Sequence, residues 1–323
     1  VYGTKRIEVN VLNQVVENEY AAYNGDSCEV LKGLPDESIH YSIFSPPFAS
    51  LYTYTNSNRD LGNCKSRTEF YEHFKFIIKE LYRVLKSGRL VSFHCMNLPT
   101  SKQNDGFIGI HDFRGELVRI FEEVGFVFHS EVCIWKDPVI AQQRTKALGL
   151  LHKQVVKDSA MSRQGIPDYL VTMRKLGVNE EPISGGFTYY NGTDTLDNRA
   201  VFDESNGRLN RGSIETWQRY ASPVWMDINP SNTLQKTSCR SEKDERHICP
   251  LQLDVIERAL QLWTNEGDVV LTPFGGIGSE GYQSLKMGRK AILCELKKEY
   301  FEQIPKNMEM ALQERQNARG LFD

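Results

Sequence analysis

The stretch from Asp268 to Glu295 leaves few architectures open. Asp268-Val269-Val270-Leu271 is a short apolar run, and Leu271-Thr272-Pro273-Phe274-Gly275-Gly276-Ile277-Gly278-Ser279 follows it. Ser279 to Met287 reads as a helix, Lys290 to Cys294 as a second strand, and Glu295 ends that strand. Strand, glycines, helix, strand and acid is the order in which a βαβ unit takes a nucleoside cofactor, with the acid about 20 residues past the glycines. Glycines let the backbone approach a ligand, and a helix N-terminus favours a carboxylate. Glu295 can take both ribose hydroxyls. A glycine turn alone is weak. Bracketed by a strand and a strand-ending acid, it points to a nucleoside cofactor.

The rest of the chain repeats this rhythm. Val11 to Ala22 is mildly periodic and reads as an early helix or a strand–helix piece. Tyr23 to Ser27 is a break, with Ser27 as N-cap of a short helix from Cys28 to Leu34. Ile39 to Phe44 is a strand. Thr68 caps a long helix in which Phe70, Phe74, Ile77, Ile78, Leu81, Val84 and Leu85 recur at three- and four-residue spacing, and Lys86-Ser87-Gly88 ends it. Arg89 to Cys95 is a strand, Phe113 to Val124 a helix stopped by Gly125, and Phe126 to Trp135 a strand. Cys249-Pro250-Leu251 opens a helix with Leu253, Ile256, Leu260 and Trp263 on its apolar face, and Tyr300 to Arg315 is a closing helix. Alternating strands and helices predict a mainly parallel sheet covered on both faces.

Between the strand Ile39–Phe44 and the polar stretch Ala49–Asn63 lie Ser45-Pro46-Pro47-Phe48. In open α/β sheets, ligands bind at that end of a strand. Two prolines fix φ twice and supply no backbone N–H, so a carbonyl there is rigid and left to accept. Ser45 adds a hydroxyl and Phe48 a flat apolar face. Such a group suits a planar ligand with an amino group on its edge, such as adenine or cytosine. Taken alone, Pro-Pro after a strand is a stiff turn.

Gly25-Asp26-Ser27, Ser45–Phe48 and Leu271–Ser279 together resemble the amino-methyltransferases of DNA. Those enzymes move a methyl group from S-adenosyl-L-methionine (AdoMet) to the exocyclic nitrogen of cytosine or adenine, and their signature is Asp/Asn/Ser-Pro-Pro-Tyr/Phe. Catalytic motif first and glycine motif last is similar to the β class. The resemblance implies an α/β, Rossmann-like AdoMet-dependent methyltransferase sheet, circularly permuted, with a target-recognition insertion. Residues 1–175 would be the first part of the catalytic core, 176–235 the insertion, and 236–323 the AdoMet-binding part of the same core. Ser45, Pro46, Pro47 and Phe48 would act at the target base. Asp26, Thr272, Pro273, Phe274, Gly275, Gly276, Gly278, Ser279 and Glu295 would surround AdoMet, with Asp26 at its adenine end. Asp26 would serve equally as a turn or cap residue. Thr272 stands where the family usually has Asp, and Cys249 where it often has lysine. Serine at the first motif position is commoner in N4-cytosine enzymes and aspartate in N6-adenine ones. The first reading is therefore N4-cytosine, with N6-adenine as the alternative. A catalytically silent DNA-binding module with the same fold is a third reading, kept open by Thr272 and Cys249.

A protein of this kind has double-stranded DNA as its partner, yet the formal net charge is −3. The positive charge is local: Val139 to Lys175 carries seven Lys/Arg against two Asp/Glu. The loop Val139–Pro167 breaks the strand–helix rhythm, and Arg144, Lys146, Lys153, Lys157 and Arg163 are its candidates for phosphate contact. A solvated basic surface is the plainer account. Leu176 to Gln235 is polar and dotted with aromatics, and Arg199, Arg208, Asn210, Arg211 and Gln218 are chemically able to read base edges. The seven cysteines are dispersed with no C-x-x-C pair, which suggests reduced thiols in a cytoplasm; the resemblance implies a bacterial or phage-encoded protein. No run approaches a membrane span. No metal is expected. A homodimer is compatible with the sequence, and the missing initiator Met is compatible with a fragment of a larger protein.

Overall fold

The computed structural model describes residues 11–47, 67–100, 102–145, 148–183, 217–234 and 251–320. In chain order the strands are β1 (Asn13–Val16), β2 (Tyr20–Asn24), β3 (Ile39–Phe44), β4 (Leu85–Met96), β5 (Leu98–Thr100), β6 (Gly109–His111), β7 (Phe126–Ile134), β8 (Asp168–Lys175), β9 (Val224–Trp225), β10 (Val269–Thr272) and β11 (Lys290–Glu295). The helices are α1 (Ser27–Lys32), α2 (Arg67–Val84), α3 (Lys102–Asp105), α4 (Phe113–Val124), α5 (Pro138–Thr145), α6 (His152–Lys157), α7 (helical over 217–221), α8 (Leu253–Trp263), α9 (Ser279–Lys286) and α10 (Lys298–Gly320).

Among the described residues nine strands form one sheet in the order β1-β2-β11-β10-β3-β4-β8-β7-β9, and β5 and β6 form a small separate pair. The run β2-β11-β10-β3-β4 is parallel throughout. Its strands are largely buried on both faces, as such sheets require. Ala21, Tyr23, Phe44, Leu271, Ile292 and Cys294 face one core, closed by Phe70, Phe74, Ile78 and Leu81 of α2 and by Phe113, Leu117 and Phe121 of α4. The alternate residues face the other side. Ala22, Ala291 and Leu293 pack with Tyr282 and Leu285 of α9 and Ile304 and Met308 of α10. Tyr41, Ile43 and Val270 pack with Val255, Ile256 and Leu260 of α8.

This layering fixes where a crevice opens. The crossover β10–α9–β11 runs over one face toward β2, whereas β3–α2–β4 runs over the opposite face toward β8. Right-handed crossovers in opposite directions must use opposite faces. The point of divergence, between β10 and β3, is the switch point at which open α/β sheets bind ligands.

Several sequence expectations are corrected. Val11–Ala22 is not helical: it supplies β1 and most of β2, an antiparallel hairpin with Asn13 opposite Asn24. The cap of α1 is Asp26, whose carboxylate accepts from the Cys28 N–H at 2.8 Å, one residue ahead of the expected Ser27. Thr68 lies inside α2. Lys86-Ser87-Gly88 does not end that helix but lies inside β4, where Ile39 pairs Leu85 and Tyr41 already pairs Leu90. Gly88 takes φ +71°, and a Cβ there would meet the Asn179 backbone N at 2.5 Å. Asp168–Lys175 forms β8, which pairs antiparallel with β7. The loop Val139–Pro167 is broken into α5, α6 and short 3-10 turns. β9 lies within the stretch assigned to target recognition: Trp225 pairs Ile134, is fully buried, and lies under Arg258, 5.2 Å from its ring. Among the described residues no helix is long and apolar enough to cross a membrane.

Candidate active site

Strands β10 and β3 pair in parallel, Val270 with Tyr41 and Leu271 with Ser42. Their C-terminal ends therefore deliver Thr272–Ser279 and Ser45–Pro47 to the same edge of the sheet. Two contacts hold the end of β10. The Ser27 hydroxyl of α1 donates to the Pro273 carbonyl. The Phe274 ring packs on Phe44, 5.6 Å between centroids, and stacks on Phe74 at 6.2 Å. Phe274 is thus half-buried and committed largely to the core beneath the turn.

The glycine turn is built by backbone bonds. Gly275 N–H donates to Cys294 O at 2.7 Å, Gly278 N–H to Gly275 O at 2.7 Å, and Gly276 N–H to the Glu295 carboxylate at 2.7 Å. The other Glu295 oxygen accepts from Lys297 N–H at 2.8 Å. A carboxylate has about four lone-pair sites, so each oxygen can take a further donor such as a ribose hydroxyl. Asn307 of α10 donates to Ile277 O at 2.7 Å and ties the turn to the closing helix. Gly276 has φ +52°, and a Cβ there would meet no atom within 4 Å; the turn presents an open face. Gly278 is the opposite case: with φ +93°, its Cβ would lie 2.9 Å from Met308.

Two hydroxyls at this edge are buried without a hydrogen-bond partner among the described residues, Thr272 Oγ1 and Ser279 Oγ. A buried polar group left unpaired is costly and calls for a ligand or water. Glu280, next to Ser279, is a buried carboxyl pushed up to about 8, first by burial and then by the neighbouring Glu295, against its own backbone N–H. The open glycine face, the two orphan hydroxyls and the strand-end acid fit a nucleoside cofactor with polar groups at its other end. Asp26 serves as the α1 cap, and its neighbour Gly25 donates its N–H to Glu295 O at 3.1 Å. Asp26 thus follows directly on a backbone bond to the end of β11.

Beside Ser45 is a group that the sequence does not advertise. The Ser45 hydroxyl lies 3.1 Å from His94 Nδ1, and His94 Nε2 lies 3.3 Å from Asp168 Oδ2. Lys136 is paired with the other Asp168 oxygen. Burial alone would raise the Asp168 carboxyl, but His94 and Lys136 outweigh it and hold the group below its ordinary value. Register brings the three together. Phe44 pairs Phe93, so Ser45 follows beside His94. His94 pairs Leu170 and Met96 pairs Asp168, which puts His94 and Asp168 on a diagonal of one face.

Phe48 and Lys146 lie outside the described residues, as do the side chain of Arg144 and Arg199, Arg208, Asn210, Arg211 and Cys249. Lys153 and Lys157 are exposed on α6, and Gln218 is exposed on α7. Arg163 is half-buried against Gly149, with burial lowering its guanidinium pKa. A cluster with metal-ligand spacing, His40, Glu181 and Asp268, lies at the opposite strand ends, its acids paired with Lys86 and Arg89.

The DNA methylase family profile for N6/N4 methyltransferases matches residues 39–306. The type II methyltransferase M.PvuII of Proteus hauseri is 25% identical over 297 residues, covering 86% of this chain and 80% of its own. M.BamHI of Bacillus amyloliquefaciens is 27% identical over 277 residues, covering 85% of this chain and 54% of its own, so the chain spans about half the length of that relative. Among solved structures, a DNA modification methylase of Thermus thermophilus, complexed with S-adenosyl-L-methionine, superposes with a TM-score of 0.63 at 18% identity, over 92% of this chain and 95% of its own. The PvuII DNA methyltransferase, which is cytosine-N4-specific, superposes with a TM-score of 0.59 at 18% identity, over 94% and 97%. With its profile match running from β3 through the glycine turn into α10, the chain belongs to the DNA methylase family, whose members use S-adenosyl-L-methionine.

Proposed function

We propose that this protein methylates an exocyclic amino group of a base in double-stranded DNA, N4 of cytosine in the first reading, in the permuted β-class order. The observation that carries the proposal is the parallel pairing of β10 with β3, which brings the glycine turn and Ser45-Pro46-Pro47 to one edge. AdoMet, when bound, supplies an electrophilic methyl group on a sulfonium. Everything else falls to the chain. Gly276 leaves the face of the turn open while Gly275 and Gly278 pack the turn against β11 and α10, Glu295 takes the ribose hydroxyls, Asp26 faces the adenine end, and Thr272 and Ser279 offer their unpaired hydroxyls to the amino-acid end.

An aromatic amino nitrogen is a poor nucleophile because its lone pair is delocalised into the ring. Hydrogen bonds from its protons to Ser45 Oγ and the Pro46 carbonyl favour a pyramidal nitrogen. Pro47 stiffens that carbonyl. Positioning and local electrostatics then supply the rate, with no covalent enzyme intermediate. The base is out of reach inside a duplex, so it is flipped out and stacked on Phe48. Lys153 and Lys157, with Arg144, Lys146 and Arg163, hold phosphates, and 176–235 reads the site.

N4-cytosine is favoured by Ser45 and by the cytosine-N4 specificity of the PvuII enzyme. The test is incubation of unmethylated plasmid with protein and AdoMet, digestion to nucleosides and mass spectrometry. N4-methylcytosine is the expected product. N6-methyladenine would establish the adenine alternative, and AdoMet-independent DNA binding with no methylated nucleoside would establish the silent module. Ser45→Ala is expected to lower single-turnover transfer strongly with AdoMet affinity unchanged. Phe48→Ala should also weaken DNA binding, less where the target base is already unpaired.

A further inference from the structure

We propose that His94, held by Asp168, takes up the proton that leaves the target amino group, receiving it through Ser45. This rests on the reading of Ser45 given above. Methylation leaves the nitrogen with one proton too many. As the nitrogen–methyl bond forms and the methyl–sulfur bond breaks, one N–H bond must also break. Its proton passes to Ser45 Oγ, and the Ser45 hydroxyl proton passes to His94 Nδ1. The positive charge that began on the sulfonium ends on the imidazolium, and the sulfur leaves neutral. Nothing is oxidised or reduced.

Four features of the site support this route. Ser45 Oγ and His94 Nδ1 are 3.1 Å apart, within reach for direct transfer. For Nδ1 to accept, the neutral ring must carry its proton on Nε2, and Nε2 faces Asp168 Oδ2 at 3.3 Å. Both residues are buried, His94 with 8% of its surface exposed and Asp168 with 5%, and Nε2 is not yet aligned in a full hydrogen bond. A ring that gains charge can tighten that contact. Finally, Lys136 occupies the second Asp168 oxygen and keeps the carboxylate ionised beside the ring. The charged groups facing His94 among the described residues are Asp168 from β8 and, through it, Lys136 from the segment after β7. Here His94 and Asp168 are positioning residues: they act on the base only through Ser45.

Two measurements test the relay. Long-range proton–nitrogen NMR on histidine-labelled protein reads the tautomer of each ring without any turnover, and the loss of one signal in His94→Asn assigns it. The expected result is an Nε2–H tautomer for His94, with Nδ1 shifting in Ser45→Ala; an Nδ1–H tautomer would overturn the proposal. Single-turnover methyl transfer to a DNA duplex at saturating AdoMet is then followed against pH. His94→Asn keeps a hydrogen bond to Ser45 but cannot accept a proton. It should transfer about a hundred-fold more slowly and lose the acid limb of the wild-type profile, with AdoMet affinity unchanged. His94→Gln serves as a second variant with the same expectation. A wild-type rate and profile in both variants, alongside a slow Ser45→Ala, would remove the relay and leave the role of Ser45 standing. If Ser45→Ala is also as fast as wild type, the reading of the site fails and the relay with it; a wild-type protein that binds DNA without methylating it has the same consequence.

Discussion

Replacing Gly276 by alanine separates the fold of the glycine turn from its use. Gly276 sits at φ +52°, close to the left-handed helical value of about +57°. An L-residue held there costs roughly 1–2 kcal/mol. No further cost arises from packing, because the new Cβ meets nothing within 4 Å. Nor is the anchor lost, since alanine keeps the N–H that Gly276 donates to Glu295 at 2.7 Å. The melting temperature should therefore fall by only roughly 1.5–3 °C. The open space beside the turn is where the cofactor backbone is proposed to pass, so the same methyl group should weaken AdoMet binding at least about tenfold, on the order of 1.4 kcal/mol. Gly276→Val should weaken it further. Gly278→Ala is the control: its Cβ is directed at Met308, 2.9 Å away, so its effect should appear mainly in stability. Calorimetry of AdoMet binding and thermal unfolding of the three variants read both quantities. Wild-type AdoMet affinity in Gly276→Ala and Gly276→Val would refute the placement of the cofactor on this face.

Three other outcomes are expected. Glu295→Ala should weaken AdoMet binding by on the order of 1–3 kcal/mol in calorimetry, and should loosen the turn as well because Gly276 and Lys297 lose their acceptor. Glu280 has its folded pKa raised to about 8, so the native state binds more protons than the unfolded one between the ordinary carboxyl range and pH 8. Its contribution is therefore most favourable below the unfolded pKa and falls as pH rises toward 8; Glu280→Gln should be stabilising by a few kcal/mol, roughly, at pH 8 and nearly neutral at pH 4, in urea unfolding at the two pH values. Lys153→Ala with Lys157→Ala should weaken all DNA sequences alike and flatten the salt dependence in a fluorescence titration, whereas altered sequence preference at an unchanged slope would mean base reading.

The parts of the fold legible in the sequence are those whose periodicity and punctuation agree. In α2, Phe70, Phe74, Ile77, Ile78, Leu81 and Val84 recur at helical spacing and are all buried. In the β10–α9–β11 unit, glycines separate an apolar run from a helix, and an acid marks the end of the second strand. The hairpin β1–β2 was illegible because β2, Tyr-Ala-Ala-Tyr-Asn, is buried on both faces and shows no alternation. The end of α2 was obscured by Gly88, which carries a positive φ in a bulged strand and reads from sequence as a helix stop. The partners of Ser45 were hidden for another reason. His94 and Asp168 are 74 residues apart in number, and neither stands in a motif; only the pairing of Met96 with Asp168 makes them neighbours.

That pairing depends on one departure from a parallel sheet. Parallel strands bring only their C-terminal ends to the edge where ligands bind, so β3 and β4 each contribute a single strand end, Ser45 and His94. β8 is antiparallel to β4 and therefore begins at the edge where its neighbours finish. Its first residue, Asp168, enters the site from the far side of His94 instead of lying at the bottom of the sheet. β7, antiparallel again, ends at the same edge, and the chain leaving it supplies Lys136 to the second Asp168 oxygen. The two acids near this edge consequently differ in state. Asp168 is held ionised in spite of burial by His94 and Lys136 beside it, while Glu280 is raised by burial first, with Glu295 adding to it. A parallel β8 would carry its first residue to the opposite edge, leaving His94 with Ser45 on one side and no carboxylate on the other. The antiparallel strand thus supplies the negative charge that a protonated His94 requires, in a layer of the sheet that is otherwise closed to solvent.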